Sequence, residues 1–140
     1  MSTATTAPPT RTTAGFATGP AARRVGCVIT TLMTLFFGFD AVTHVLLVAP
    51  VVEANAEFGA PPQFPVVSGV ILSVCLIAYL VPASRAMGTI LLTTYLGGAV
   101  AANLIAEQAL GHTGFAIITA VLVWAGAWPR DTRLRALLRR

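Results

Sequence analysis

Between Arg85 and Glu107 the chain runs for 21 residues, AMGTILLTTYLGGAVAANLIA at 86–106, without a single charge. A helix rises about 1.5 Å per residue, so a run of this length reaches about 30 Å, the depth of a bilayer's hydrocarbon core. Its middle is small: Gly97, Gly98, Ala99, Ala101 and Ala102 follow Tyr95. A helix face without bulk lets a neighbouring backbone come close, and close packing is what joins helices where lipid removes the hydrophobic drive between them. The run is therefore expected to be the central packing helix of a small membrane bundle, with the Gly97–Gly98 step a close-packing feature.

The rest of the chain agrees with a membrane setting. Hydrophobic residues make up 56% of the 140 and charged residues 10%, where an ordinary soluble domain carries about 25% charge. Mean hydropathy is +0.80. Too little polar surface exists to coat a globule in water. The formal net charge is +4, and all nine basic residues are arginine, a bias that suits a GC-rich genome. These arginines flank apolar runs rather than forming one soluble face, so they report topology and not nucleic-acid binding.

In chain order, 1–22 is rich in Thr, Ala, Pro and Gly and reads as a disordered segment. Arg23-Arg24 precedes an apolar run too long for an export signal, so that run is expected to remain in the protein. Four spans follow, at about 25–49, 64–81, 86–106 and 114–128, within one membrane domain over 23–129. Pro50 ends the first, Pro82 the second and Pro129 the last. In the loop at 50–63, Glu53 and Glu57 lie four apart, which suits a short interfacial helical turn. Trp124 and Trp128 suit an interfacial aromatic belt. The tail at 130–140, RDTRLRALLRR, alternates arginine with leucine and reads as a basic amphipathic helix on anionic headgroups. With four spans, every arginine falls on one side. The two loops that carry Glu53, Glu57 and Glu107 fall on the other, which puts both termini in the cytoplasm. The two cysteines, Cys27 and Cys75, are expected at depths about 10 Å apart, out of reach of a disulfide.

Four stretches resemble the DoxX-like family of small four-helix membrane proteins: Phe39-Asp40 with His44, VILSVCLIAYLVP at 70–82, MGTILLTTYLGGAVA at 87–101, and WPRDTRLRALL at 128–138. The similarity runs in order over about 23–139. Where relatives carry a histidine and a basic residue beyond the YLGGAVA run, this chain has Asn103 and Glu107. The resemblance implies an all-α integral membrane four-helix bundle of the cell inner membrane. It also implies an association with membrane quinone redox chemistry, as a redox subunit, a ligand binder, or a partner subunit in a larger or homo-oligomeric assembly.

Chemistry is sought where ionisable groups enter the apolar runs, because an Asp at a helix centre costs about 2.5–3.5 kcal/mol to insert. Asp40 is such a group. His44, four residues on, shares its helix face. Asn103 and Glu107 have the same spacing on the third span. If the first and third spans touch, these four converge on an outer-half pocket, with Thr43 and Tyr95 at its edge. Three readings follow: a structural polar pair that joins helices, a site for a quinone headgroup or other small ligand, or a metal site of Asp40, His44, Glu107 and His112 that lacks any tight ligand motif. His112 by itself reads as a solvated loop residue. Two function classes remain open, a ligand-binding or quinone-associated redox subunit and a non-catalytic membrane scaffold.

Overall fold

The computed structural model describes residues 19–137. The disordered segment expected at 1–22 lies outside the described residues except for its last few positions, and Pro20 onward is helical. Six helices follow in order: α1 (Pro20–Val45), α2 (Ala49–Glu57), α3 (Phe64–Leu80), α4 (Arg85–Ile105), α5 (Leu110–Ala127) and α6 (Thr132–Leu137). No strand occurs among the described residues. By length and composition α1, α4 and α5 are able to cross a membrane, and α3 is a shorter apolar helix of 17 residues.

The sequence sets three of the six helix starts among the described residues through proline. Pro20, Pro50 and Pro65 each occupy the first two positions of a helix, where the missing N–H has no intrahelical partner to lose. This corrects the expected end of the first span. Pro50 does not stop that helix; it opens the next one. The first helix ends instead at Val45, and Leu47 turns the chain in the left-handed region at φ 52°. Leu47 N–H bonds to His44 O and Val48 N–H to Thr43 O, the paired bonds of a Schellman cap. The same two-bond pattern closes α2 at Gly59 and α4 at Glu107, whose φ is 53°. Three neighbouring helix ends thus share one closing geometry, and only one of them uses glycine. The last span also differs from expectation. It starts at Leu110 and runs 18 residues, so His112 lies in its first turn rather than in a loop.

The four long helices form a closed ring. α1 packs on α3 and α5, and α4 packs on α3 and α5. α1 and α4 therefore stand on opposite corners of an up-and-down bundle. The polar residues of α1 and α4 are expected to converge if these helices touch; the two helices are not among the main packing pairs, and α4 is one wall of four rather than a central post. Its small residues do not seat a neighbour either: a side chain built on Gly97 or Gly98 would meet nothing within 4 Å. The close approaches lie elsewhere. A Cβ at Gly88 would run into the backbone of Ala78 and Tyr79, and one at Gly69 would come within 2.9 Å of Ala41 O.

The interior divides along the bundle axis. The half near the arginines is solid. Phe37, Leu72, Leu76, Leu92 and Val123 are buried there around Tyr79, which is itself fully buried. The Tyr79 hydroxyl donates to Val123 O at 3.1 Å and lies 3.3 Å from Thr30 Oγ1, joining three helices at one point. Threonines in the helices return their hydroxyls to the carbonyl one turn back, as Thr89 does to Arg85 O at 2.9 Å and Thr119 to Phe115 O at 2.7 Å. Such bonds satisfy these hydroxyls where water is absent, whereas Thr113 Oγ1 is buried with no partner among the described residues. The outward faces carry exposed apolar side chains, among them Leu32, Leu35 and Phe39 on α1 and Ile117, Ile118 and Val121 on α5.

The tail is not a free surface helix. Leu134 is buried in the core cluster, and Asp131 caps α6, its Oδ1 accepting from the N–H groups of Arg133 at 2.8 Å and Leu134 at 3.3 Å. Arg133 Nη1 reaches back to Ala83 O in the α3–α4 turn. Trp124 likewise departs from the expected aromatic belt: its indole N–H donates to Thr93 Oγ1 at 2.8 Å, across the α4–α5 seam. Cys75 is buried, Cys27 is exposed, and both are free thiols.

Candidate functional site

The other half of the bundle is hollow. A cavity of ≈ 710 Å³ occupies it, within the range of small-molecule sites. Each long helix supplies a stripe spaced three or four residues apart. α1 contributes Phe36, Phe37, Asp40 and His44; α3 contributes Phe64, Ser68 and Ile71. α4 contributes Tyr95, Gly98, Ala99, Ala102 and Asn103; α5 contributes His112, Phe115, Ala116 and Thr119. Because α1 and α4 stand diagonally, their facing stripes leave a gap, and Gly98, Ala99 and Ala102 widen it. Small residues here make space rather than contact.

α2 forms the cover, with Pro50, Val51, Ala54 and Asn55 toward the cavity and Glu53 and Glu57 exposed. Asn55 Nδ2 donates to Ala60 O at 3.2 Å and Pro61 O at 3.3 Å, which pins the turn after α2. Its Oδ1 is buried with no partner among the described residues.

The polar groups are few. His44 Nδ1 lies 2.9 Å from Asp40 O and 3.4 Å from Asp40 Oδ1. With a proton on Nδ1, the ring donates to the backbone carbonyl first, and the carboxylate is the second and longer contact. The Nε2 edge of His44 and Asp40 Oδ2 have no hydrogen-bond partner among the described residues. Both side chains keep partial access, 26% for His44 and 35% for Asp40. Across the cavity, Tyr95 OH and Ser68 Oγ bond each other at 2.8 Å, tying α4 to α3. The deep wall is apolar, with Phe37, Leu96 and Ala116 forming its boundary with the solid half. Phe36 and Phe115 meet edge to face, ring centroids 5.6 Å apart, where α1 meets α5.

Of the residues singled out from sequence, Asp40, His44, Tyr95 and Asn103 all line this cavity. Glu107 does not: its left-handed turn ends α4 one residue after Ala106, and it is not part of the lining. Thr43 also stays out, its hydroxyl bonded to Asp40 O at 2.8 Å. His112, expected in a solvated loop, is exposed at the end of α5 yet reaches the cavity margin. Asp40, His44, Glu107 and His112 do not gather, and no group of three His, Cys, Asp or Glu able to hold a metal occurs among the described residues. Sequence reasoning misses Ser68 and Asn55. Ser68 lies one turn into α3, where a lone small hydroxyl on a packed face carries no signal. Asn55 lies in a stretch whose helical content is legible only through Glu53 and Glu57.

A family model described as the DoxX-like family matches residues 28–126, which takes in α1 from its third turn through nearly all of α5. No curated protein and no solved structure matches the chain.

Proposed function

We propose, on the premise that the chain belongs to the DoxX-like family, that it is a membrane protein which holds a small amphipathic molecule in the hollow half of its bundle. A quinone headgroup is the chemistry that suits the lining best. A hydroxyl of the reduced ring would donate to His44 Nε2 or Asp40 and a ring oxygen would accept from the Tyr95–Ser68 pair, while Phe36, Phe37 and Phe115 flank its faces. The observation that carries this reading is a cavity of ≈ 710 Å³ whose few polar groups converge from α1, α3 and α4. A bundle that served only to pack would have closed the gap between α1 and α4.

The membrane placement follows the same reading. α3 supplies a fourth crossing beside α1, α4 and α5, the arginine-bearing end faces the cytoplasm, and the cavity opens toward the outer face of a bacterial inner membrane. Asp40 and His44 then exchange protons with the bound head or with a redox partner subunit. Arg130, Arg133 and Arg135 meet anionic headgroups.

A scaffold function is the second reading. It is favoured by the internal pairing of Tyr95 OH with Ser68 Oγ and of His44 Nδ1 with Asp40 O, which joins α4 to α3 and fixes the His44 ring without a ligand. The two are separated with Asp40→Asn and His44→Gln, made singly and purified in nanodiscs. A benzoquinone probe is titrated and quenching of Trp124 and Trp128 followed. Saturable quenching in the parent, weakened about tenfold in either variant, supports the site. Identical titrations in all three proteins remove it, and failure of both variants to fold assigns the pair to structure.

A further inference from the structure

A second hollow lies on the outer side of the α4–α5 seam. It measures ≈ 350 Å³ and is bounded by Gly97, Val100, Ile117, Ala120, Val121 and Trp124, with Leu96 and Ala116 at its inner edge. Leu96 and Ala116 also bound the large cavity. The two spaces are therefore neighbours that share two lining side chains, one of them an alanine. The adjacent glycines mark the same junction. Gly98 lines the large cavity, Gly97 lines the outer groove, and a Cβ added at either would meet no atom within 4 Å. Helix interiors disfavour glycine by up to about 1 kcal/mol relative to alanine, and here the open positions are not used to seat another helix.

The two spaces differ in chemistry. The large one carries Asp40, His44, Ser68, Tyr95 and Asn103. The groove has only Thr93 and Trp124 as polar residues, and these two bond each other at 2.8 Å. Its donor and acceptor are thus spent, and what remains is an apolar trough facing the exposed side chains Ile117 and Val121. A polar chamber beside an apolar trough, the two sharing Leu96 and Ala116, has the shape of a site for a head on a chain.

We propose that the ligand of the large cavity carries an apolar chain which leaves between α4 and α5 at Leu96 and Ala116 and lies in the groove over Gly97. The protein then takes lipid-soluble molecules built as a hydrogen-bonding head on an isoprenoid-like or acyl-like tail, loaded sideways from the bilayer. Free polar solutes are not its substrates. This rests on the ligand-binding reading of the large cavity and specifies the class of molecule that enters it.

The test uses the full chain in nanodiscs and two probes, a benzoquinone with one isoprene unit and its homologue with four. Gly97→Leu fills the groove without touching the large cavity, and Gly98→Leu fills the large cavity. Leu35→Phe, on the exposed face of α1, is the control. Gly97→Leu is expected to weaken the four-unit probe about tenfold, within the range that overpacking costs, and to leave the one-unit probe within about twofold. Gly98→Leu weakens both probes, and Leu35→Phe neither. The Cβ added at either position meets nothing within 4 Å, and circular dichroism checks that both variants keep the fold. If Gly97→Leu leaves the four-unit probe unchanged, or weakens both probes equally, the groove holds no tail and the inference falls while the headgroup site stands. If the parent protein binds neither probe, the headgroup reading itself falls and takes the tail with it.

Discussion

Individual glycines in this chain do opposite jobs, and their substitution separates them. At Gly88 an added methyl meets the backbone of Ala78 and Tyr79. Gly88→Ala is therefore expected to force α3 and α4 apart and to cost at least about 2 kcal/mol, read as a lowered midpoint of unfolding in mixed micelles. At Gly97 the same methyl meets nothing, and Gly97→Ala is expected to stabilise by about 0.5–1 kcal/mol through helix propensity. Sequence alone does not tell these two apart, because the small run after Tyr95 looks like a packing face and Gly88 looks incidental. Backbone conformation makes a second contrast. Leu47 and Glu107 occupy the left-handed region at φ 52° and 53°, where a side chain costs about 1–2 kcal/mol. Glu107→Gly should relieve about 1 kcal/mol of that cost and raise the unfolding midpoint without altering ligand binding, since Glu107 lies outside the cavity lining. A fall in stability would contradict the strained cap. Tyr79→Phe removes the hydroxyl that donates to Val123 O and is expected to cost about 1 kcal/mol, again by equilibrium unfolding.

At the scale of elements, apolar length is legible and the cavity's cover is not. The runs at 64–81 and 86–106 match α3 and α4 to within a residue or so, because proline and arginine punctuate them. The first run misleads, since Leu46, Leu47 and Val48 continue its hydrophobicity past the end of α1. Nothing in that composition signals a left-handed cap without glycine, so α2 reads as no more than a single turn. The tail misleads for another reason. Its arginine–leucine alternation describes a surface helix equally well, but the buried Leu134 and the Asp131 cap fasten it to the bundle. Asp131→Ala removes the acceptor for two backbone N–H groups and is expected to cost about 1 kcal/mol locally. Faster hydrogen exchange at 132–137, with exchange in α3 unchanged, is the measurement that checks it. Equal exchange in both proteins would show that Leu134 alone holds α6.

For the molecule as a whole, charge separation predicts an orientation that labelling decides. In a chain whose own cysteines are replaced, Ala56→Cys and Gly111→Cys should react with an impermeant maleimide from outside intact cells, whereas Ala136→Cys should react only after lysis. The reverse pattern would invert the topology. Half of the candidate site is legible in the residues alone: the Asp40–His44 spacing and the position of Asn103 point to it, and all three line the cavity. The reason a cavity exists is not legible there. It depends on the ring order of the helices, which sets α1 and α4 across from each other and is not written in any local stretch. This diagonal arrangement has a mechanical consequence. The breadth of the chamber is set by how far α3 and α5 hold two diagonal walls apart, so the sideways squeeze exerted by surrounding lipids acts on the chamber directly. Occupancy should then respond to acyl-chain crowding and bilayer thickness, even with no lipid bound at any defined place.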